Sequence, residues 1–156
     1  MTFWKTGQLE PLREFRFLLR LDNSAVAIEA KSVTMPSFET ETQEFQLVNH
    51  MVKFPSIGKW GDISMTLVVT KSKLHQKFLA MAKYQNIKQN GMTLTKNMFG
   101  ESPPKIEILS ETGSPLSTWT LHNPFIQSIS FGEFNYESDN IAQVELTISF
   151  DHAEIQ

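Results

Sequence analysis

The side chains with the widest chemical range are the four imidazoles, His50, His75, His122 and His152, spread over 156 residues. None forms an HxxxH or HxH pair, the spacings that turn two rings toward one ion on a helix or a strand. A zinc site would have to draw acids from separate elements, and the spacing gives no reason to expect that. Isolated histidines are more often surface or hydrogen-bonded residues, so no metal site is expected. Glu39 and Glu41 stand two apart on one strand face, with Glu44 nearby. Paired carboxylates can hydrolyse glycosides, but such enzymes normally take the two acids from different strands flanking a cleft. A solvated strand face is the plainer reading. GxSxG, GxxxxGK[ST] and GxGxxG are all missing, and none of the seven glycines lies in a phosphate-cradling pattern. Five lysines between Lys71 and Lys88 make a basic stripe without interleaved arginines or a stacking aromatic platform, which disfavours specific nucleic-acid binding. The expectation is a chain with no catalytic set and no cofactor.

The elements that would carry these residues are mostly strands. From Arg13 to Leu21, Phe15, Phe17, Leu19 and Leu21 alternate with mostly charged residues, a period-two pattern with one buried face. Asp22-Asn23-Ser24 supplies a turn, and Ala25 to Thr34 returns as a second strand before Pro36. Phe38 to Leu47 and Met51 to Phe54 form the arms of a hairpin, with Pro55-Ser56-Ile57-Gly58 read as a loop. Asp62 to Thr70 alternates, placing Ile63, Met65, Leu67 and Val69 on one face. A helix is expected from an N-cap at Ser72, through Leu74, Phe78, Met81 and Ala82, to a stop at Asn90-Gly91. After an irregular stretch to Pro104, strands are expected at 105–110, 117–121 and 125–133, with a polar turn at 136–140. The closing strand, Ile141 to Phe150, sets Val144, Leu146, Ile148 and Phe150 against Gln143, Glu145, Thr147 and Ser149. The tally is about eight strands and one helix.

Length and composition fit one domain, 1–156, with residues 1–12 as an N-terminal arm, burying roughly 70% of its unfolded surface. The absence of cysteine excludes disulfides and fits a reducing compartment. No signal peptide and no apolar run near the ~20 residues of a membrane span are visible. Net charge is −3, yet residues 1–100 hold 13 Lys/Arg against 8 Asp/Glu, while 101–156 hold one Lys and nine acids. Either the charges segregate by chance over a solvated surface, or the subunit has a basic and an acidic face suited to head-to-tail self-association. The hairpin poses a sharper question. Phe45, Leu47, Val48, Met51, Val52 and Phe54 would be an aggregation hazard on a monomer. They either fold back on the core or meet another copy of the chain.

The order of elements carries a resemblance. Phe15-Arg16-Phe17 is followed by the bend Lys31-Ser32-Val33-Thr34-Met35-Pro36. A long hairpin then ends in Lys53-Phe54-Pro55, and a loop reaches Trp60 and the strand Asp62 to Val69. A helix comes next, and the closing strand runs from Ser138-Asp139-Asn140-Ile141 to Phe150-Asp151. This resembles, over nearly the whole chain, the tail-tube protein family of contractile-tailed phages and its relatives in pyocins and other injection systems.

The resemblance implies a mainly β fold, a small β-sandwich or partial barrel with a flanking helix that contributes strands to a shared ring barrel. It implies hexameric rings stacked head to tail inside a tail sheath, with a tape-measure protein, a baseplate hub or initiator and a tail terminator as partners. DNA would pass through the lumen without specific binding, no membrane would be entered, and the product would be a virion tail assembled in the host cytoplasm. Leu47, Val48, Asn49, His50 and Met51 would then stack on the adjacent ring. Glu39, Glu41, Gln143, Glu145, Thr147 and Ser149 would line the lumen, provided no bulge between Glu41 and Phe45 flips the strand. A baseplate hub, tube-initiator or secretion-system inner-tube subunit of the same fold is the alternative, although many such relatives are longer. A small β-barrel binding protein or enzyme is the reading from a different class.

Overall fold

The computed structural model describes residues 12–20, 30–71, 76, 78–80 and 103–156, and among them are ten strands. The first five are β1 (Phe17–Arg20), β2 (Ala30–Val33), β3 (Phe38–Gln46), β4 (Met51–Trp60) and β5 (Ile63–Val68). The remainder are β6 (Lys105–Leu109), β7 (Pro115–His122), β8 (Phe125–Phe131), β9 (Gln143–Ser149) and β10 (His152–Ile155). They form two four-stranded sheets, ordered β1-β6-β7-β10 and β2-β5-β9-β8, and a separate two-stranded ribbon, β3-β4. Every pairing is antiparallel.

Alternation builds the core as the sequence predicts. Ile63, Met65 and Leu67 on β5 stand directly opposite Ile148, Leu146 and Val144 on β9, and all six are buried. From the other sheet, Leu19, Ile106, Leu121 and Ala153 meet this layer, and Ile126, Phe78 and Phe150 complete it. The mainly β character expected from the pattern, and the sandwich implied by the resemblance, are therefore present. A fully buried Leu or Ile contributes about 1.5–3 kcal/mol, so these facing rows dominate the sandwich. Val69 lies beyond the end of β5 and is only half-buried. The expected helix is represented by Gln76 and residues 78–80, with Phe78 buried. Its remainder, including Ser72, Met81 and Asn90-Gly91, lies outside the described residues, as do the arm up to residue 11 and the Asp22-Asn23-Ser24 turn.

Several boundaries differ from expectation, each for a local reason. The strand expected from Arg13 starts only at Phe17, because Glu14 and Phe15 form a turn in which the Arg16 amide donates to the Arg13 carbonyl at 3.1 Å. Phe15 is exposed there, with the Arg16 guanidinium 5.6 Å from its ring centre. Pro55 to Gly58 is strand rather than loop. In a two-stranded ribbon both strands are edges, and an edge tolerates a residue without an N–H. Beyond Phe150 the chain turns at Asp151 and returns as β10 against β7. Asn123, at φ 51, closes this corner by donating its side-chain amide to the Asp151 carboxylate at 3.0 Å.

Candidate assembly surfaces

The ribbon is the first surface. All nine residues of β3 are exposed, and β4 is half-buried only at Val52, Ser56 and Trp60. Register places Phe45 opposite Val52 and Gln43 opposite Phe54, so these apolar side chains share one face near the tip. Nearer the base the same face carries Glu39, Glu41 and Lys59. Lys59 stands opposite Glu39 and donates a hydrogen bond to Glu41. That bond and the charge of Glu41 hold the Lys59 pKa above its ordinary value, with Glu39 adding to the effect. Across the ribbon, Lys53 and Glu44 pair at 3.3 Å. The register breaks between Thr40 and Thr42, where Ser56 and Ile57 of β4 both oppose Glu41. This is a bulge, but its extra residue falls on β4, so Glu39, Glu41 and Phe45 stay on one face.

At the tip, Leu47, Val48, Asn49 and His50 form the turn, closed by the Leu47 amide donating to the His50 carbonyl at 2.8 Å. Val48 is 98% exposed, and Leu47 and Met51 are exposed beside it. Among the described residues the hairpin does not fold back on the core, and only its base is anchored. Phe38 and Trp60 meet at 5.0 Å between ring centres, and Trp60 meets Phe150 at 6.0 Å.

The second surface is the outer face of β2-β5-β9-β8. Opposite the buried rows, register sets Ser64 beside Thr147, Thr66 beside Glu145, and Val68 beside Gln143. Ser128 and Ser130 on β8 and Ser32 on β2 extend the same face. An extra residue between Ile126 and Ser128 breaks the period of β8, and Gln127 leans toward Ser149, whose hydroxyl also donates to Asp62. The result is a broad surface of neutral hydroxyls with Glu145 as the acid at its centre. Gln143, Glu145, Thr147 and Ser149 thus share one face. Glu39 and Glu41 do not join them, because they belong to the ribbon, and Glu41 is paired to Lys59.

A third grouping is invisible in the spacing of the sequence. The β7–β10 register sets His152 directly opposite His122, thirty positions away, and Glu154 follows on the same face. The only local hint is His152-Ala153-Glu154, a period-two spacing that puts an imidazole and a carboxylate side by side once the segment is a strand.

A family profile described as T4-like virus tail tube protein gp19 matches residues 13–154. The chain belongs to this family. Tail tube proteins of this kind are structural parts of phage and injection-system particles. Solved structures agree on the fold. The chain is similar to a protein in the tube-terminating cap of the anti-feeding prophage, with 22% identity, TM-score 0.71, and 94% of this chain and 91% of that one covered. It is also similar to one in the extended sheath–tube complex of PVC, an extracellular contractile injection system, with 21% identity, TM-score 0.71 and coverage of 95% and 93%. A third, in the six-fold symmetrised baseplate of the anti-feeding prophage, shares 17% identity at TM-score 0.73 over 94% and 96%. At these identities the likeness carries the fold alone. No curated protein matches the chain.

Proposed function

We propose that the chain is the repeating subunit of a contractile-tail tube. Six copies close a ring, rings stack head to tail within a sheath between baseplate and terminator, and the lumen holds a tape-measure protein before conducting DNA. Such a subunit is assembled in the host cytoplasm and ends in the virion tail. The observation that supports this reading is the ribbon, a long two-sided hairpin with apolar residues that no other element among the described residues covers. Family membership and the six-fold symmetry of a structurally similar baseplate support the ring.

In this assembly Leu47 to Met51 contact the adjacent ring, and the hydroxyl face of β5, β8 and β9 lines the channel. Neutral hydroxyls carry no positive charge to retain phosphate electrostatically, and a sixfold ring of Glu145 repels it, so DNA passes with little adhesion.

The test is negative-stain microscopy of the purified protein at high concentration, where rings and tubes are expected. Val48→Asp with Met51→Asp should leave a folded subunit that does not polymerise, since burying unpaired charge costs several kcal/mol. Tubes of normal length from that variant would exclude the hairpin contact, and wild-type protein that stays monomeric would exclude the tube. Glu145→Lys should permit assembly and slow genome passage, most at low salt. For Glu39 and Glu41 the same assay decides, because reversing both slows passage only where the ribbon extends the channel wall. A second reading, a terminator or initiator ring, is favoured by the similarity to a tube-terminating cap. It predicts discrete rings that never elongate.

A further inference from the structure

We propose that His122, His152 and Glu154 form a binding site for one divalent transition-metal ion of the zinc class, on the outer face of the β1-β6-β7-β10 sheet. Leu121 and Ala153 are buried, so their strand neighbours His122, His152 and Glu154 face away from the core. The two imidazoles are direct cross-strand partners and stack with centres 4.3 Å apart and planes 10° from parallel. Both Nε2 atoms approach the same carboxylate, at 3.3 Å for His122 and 3.8 Å for His152.

One donor atom from each residue lies within 4.8 Å of the others, the one such grouping among the described residues. Ligands around tetrahedral zinc sit about 3.3 Å apart when the metal–ligand bonds are about 2.05 Å. Small rotations of the exposed His152 and Glu154 side chains on fixed strands, toward the half-buried His122, close that gap. His122 Nε2 is also shielded from solvent, and its approach to Glu154 lacks hydrogen-bond geometry, so the atom is left under-satisfied. Ligation would complete it.

Two imidazoles and a carboxylate suit Zn²⁺, Co²⁺, Ni²⁺ or Cu²⁺, whereas Ca²⁺ and Mg²⁺ prefer all-oxygen sites. Three ligands on an exposed face leave a position open to water or to a group on a neighbouring molecule. The metal also staples β10, a four-residue edge strand, to β7. Protons compete for the imidazole nitrogens, so affinity falls on acidification. None of this depends on whether the subunit forms a tube.

The experiment is calorimetric titration of metal-free full-length protein with Zn²⁺, with Co²⁺ as a spectroscopic probe. One ion per chain, visible cobalt absorption of a low-symmetry site and a zinc-dependent rise in melting temperature are expected. His152→Asn and Glu154→Gln alter exposed side chains, and each should weaken zinc by at least about tenfold, the least that losing even a supporting group costs many metal sites. Both should abolish the thermal shift, while His50→Asn should change neither. Undiminished zinc affinity in the His152 and Glu154 variants would overturn the proposal, as would calcium binding as tightly as zinc or no saturable binding of zinc.

Discussion

The sandwich strand β5 and the ribbon strand β3 are both paired antiparallel and meet opposite fates. In β5 every second residue is buried against β9 and the facing sheet, while in β3 none is. Ile63, Met65 and Leu67 alternate with polar or smaller residues in β5, whereas β3 has only Phe38 and Phe45, on opposite faces, so burial follows the alternation. Phe45, Val52 and Phe54 support each other across the ribbon, and a two-stranded hairpin alone is marginal in water. The ribbon depends on its base for attachment, where Phe38, Trp60 and Phe150 join it to the sandwich.

The comparison breaks most sharply at Leu67, which is buried opposite Val144. Leu67→Ala should destabilise the fold by about 2–5 kcal/mol in urea denaturation. Trp60→Ala removes the half-buried ring between ribbon and sandwich. It should cost about 1–2 kcal/mol, less than the 3–5 of a core aromatic, and raise proteolysis of the ribbon more than of the sandwich. Gly58 tests the same attachment more gently. A Cβ there would stand 2.3 Å from the tip of the Phe38 ring. Because Phe38 is exposed, Gly58→Ala should swing the ring off Trp60 at a cost of about 1 kcal/mol, visible as a change in tryptophan near-ultraviolet dichroism.

Glu41→Gln should have the smallest effect, leaving the melting temperature at neutral pH within measurement scatter, because exposed pairs contribute little. Its signature is alkaline. A lysine whose pKa is raised on folding contributes stability below its unfolded value of 10.5, and that contribution is lost as pH rises through the higher folded value. The wild type should therefore lose a little more stability than Glu41→Gln above that pH.

The core strands were legible because Ile63 to Leu67 and Val144 to Ile148 alternate without interruption, whereas their stacking into a sandwich was implied only by the resemblance. Elsewhere the pattern was cut by features that only tertiary structure explains. Pro55 and Gly58 read as loop residues, yet an edge ribbon accepts the proline, and a bulge at Ser56 and Ile57 absorbs the irregularity. β10 is four residues with one buried side chain, too short for periodicity to register. The polar face of β9 was readable from parity, but its separation from Glu39 and Glu41 was not, since a strand does not announce which sheet it joins. The His122–His152 contact required the β7–β10 register.

The separate ribbon also predicts an order of events during folding, testable by pulsed hydrogen exchange as earlier partial protection of β3 and β4 amides. β3 and β4 close over a four-residue turn at 47–50, whereas the sandwich joins β5 to β9 and β1 to β6, and one of its hydrogen bonds spans 87 residues. Hairpins form in about 1–10 μs, while sheets built from distant pairings take milliseconds to seconds. The nascent chain thus pairs these two edges transiently while its interior is still open, and the pairing becomes stable only when Phe150 arrives against Trp60. The Glu44–Lys53 and Glu41–Lys59 pairs sit along those edges as gatekeepers, and an out-of-register encounter between two unfinished chains sets like charges against each other.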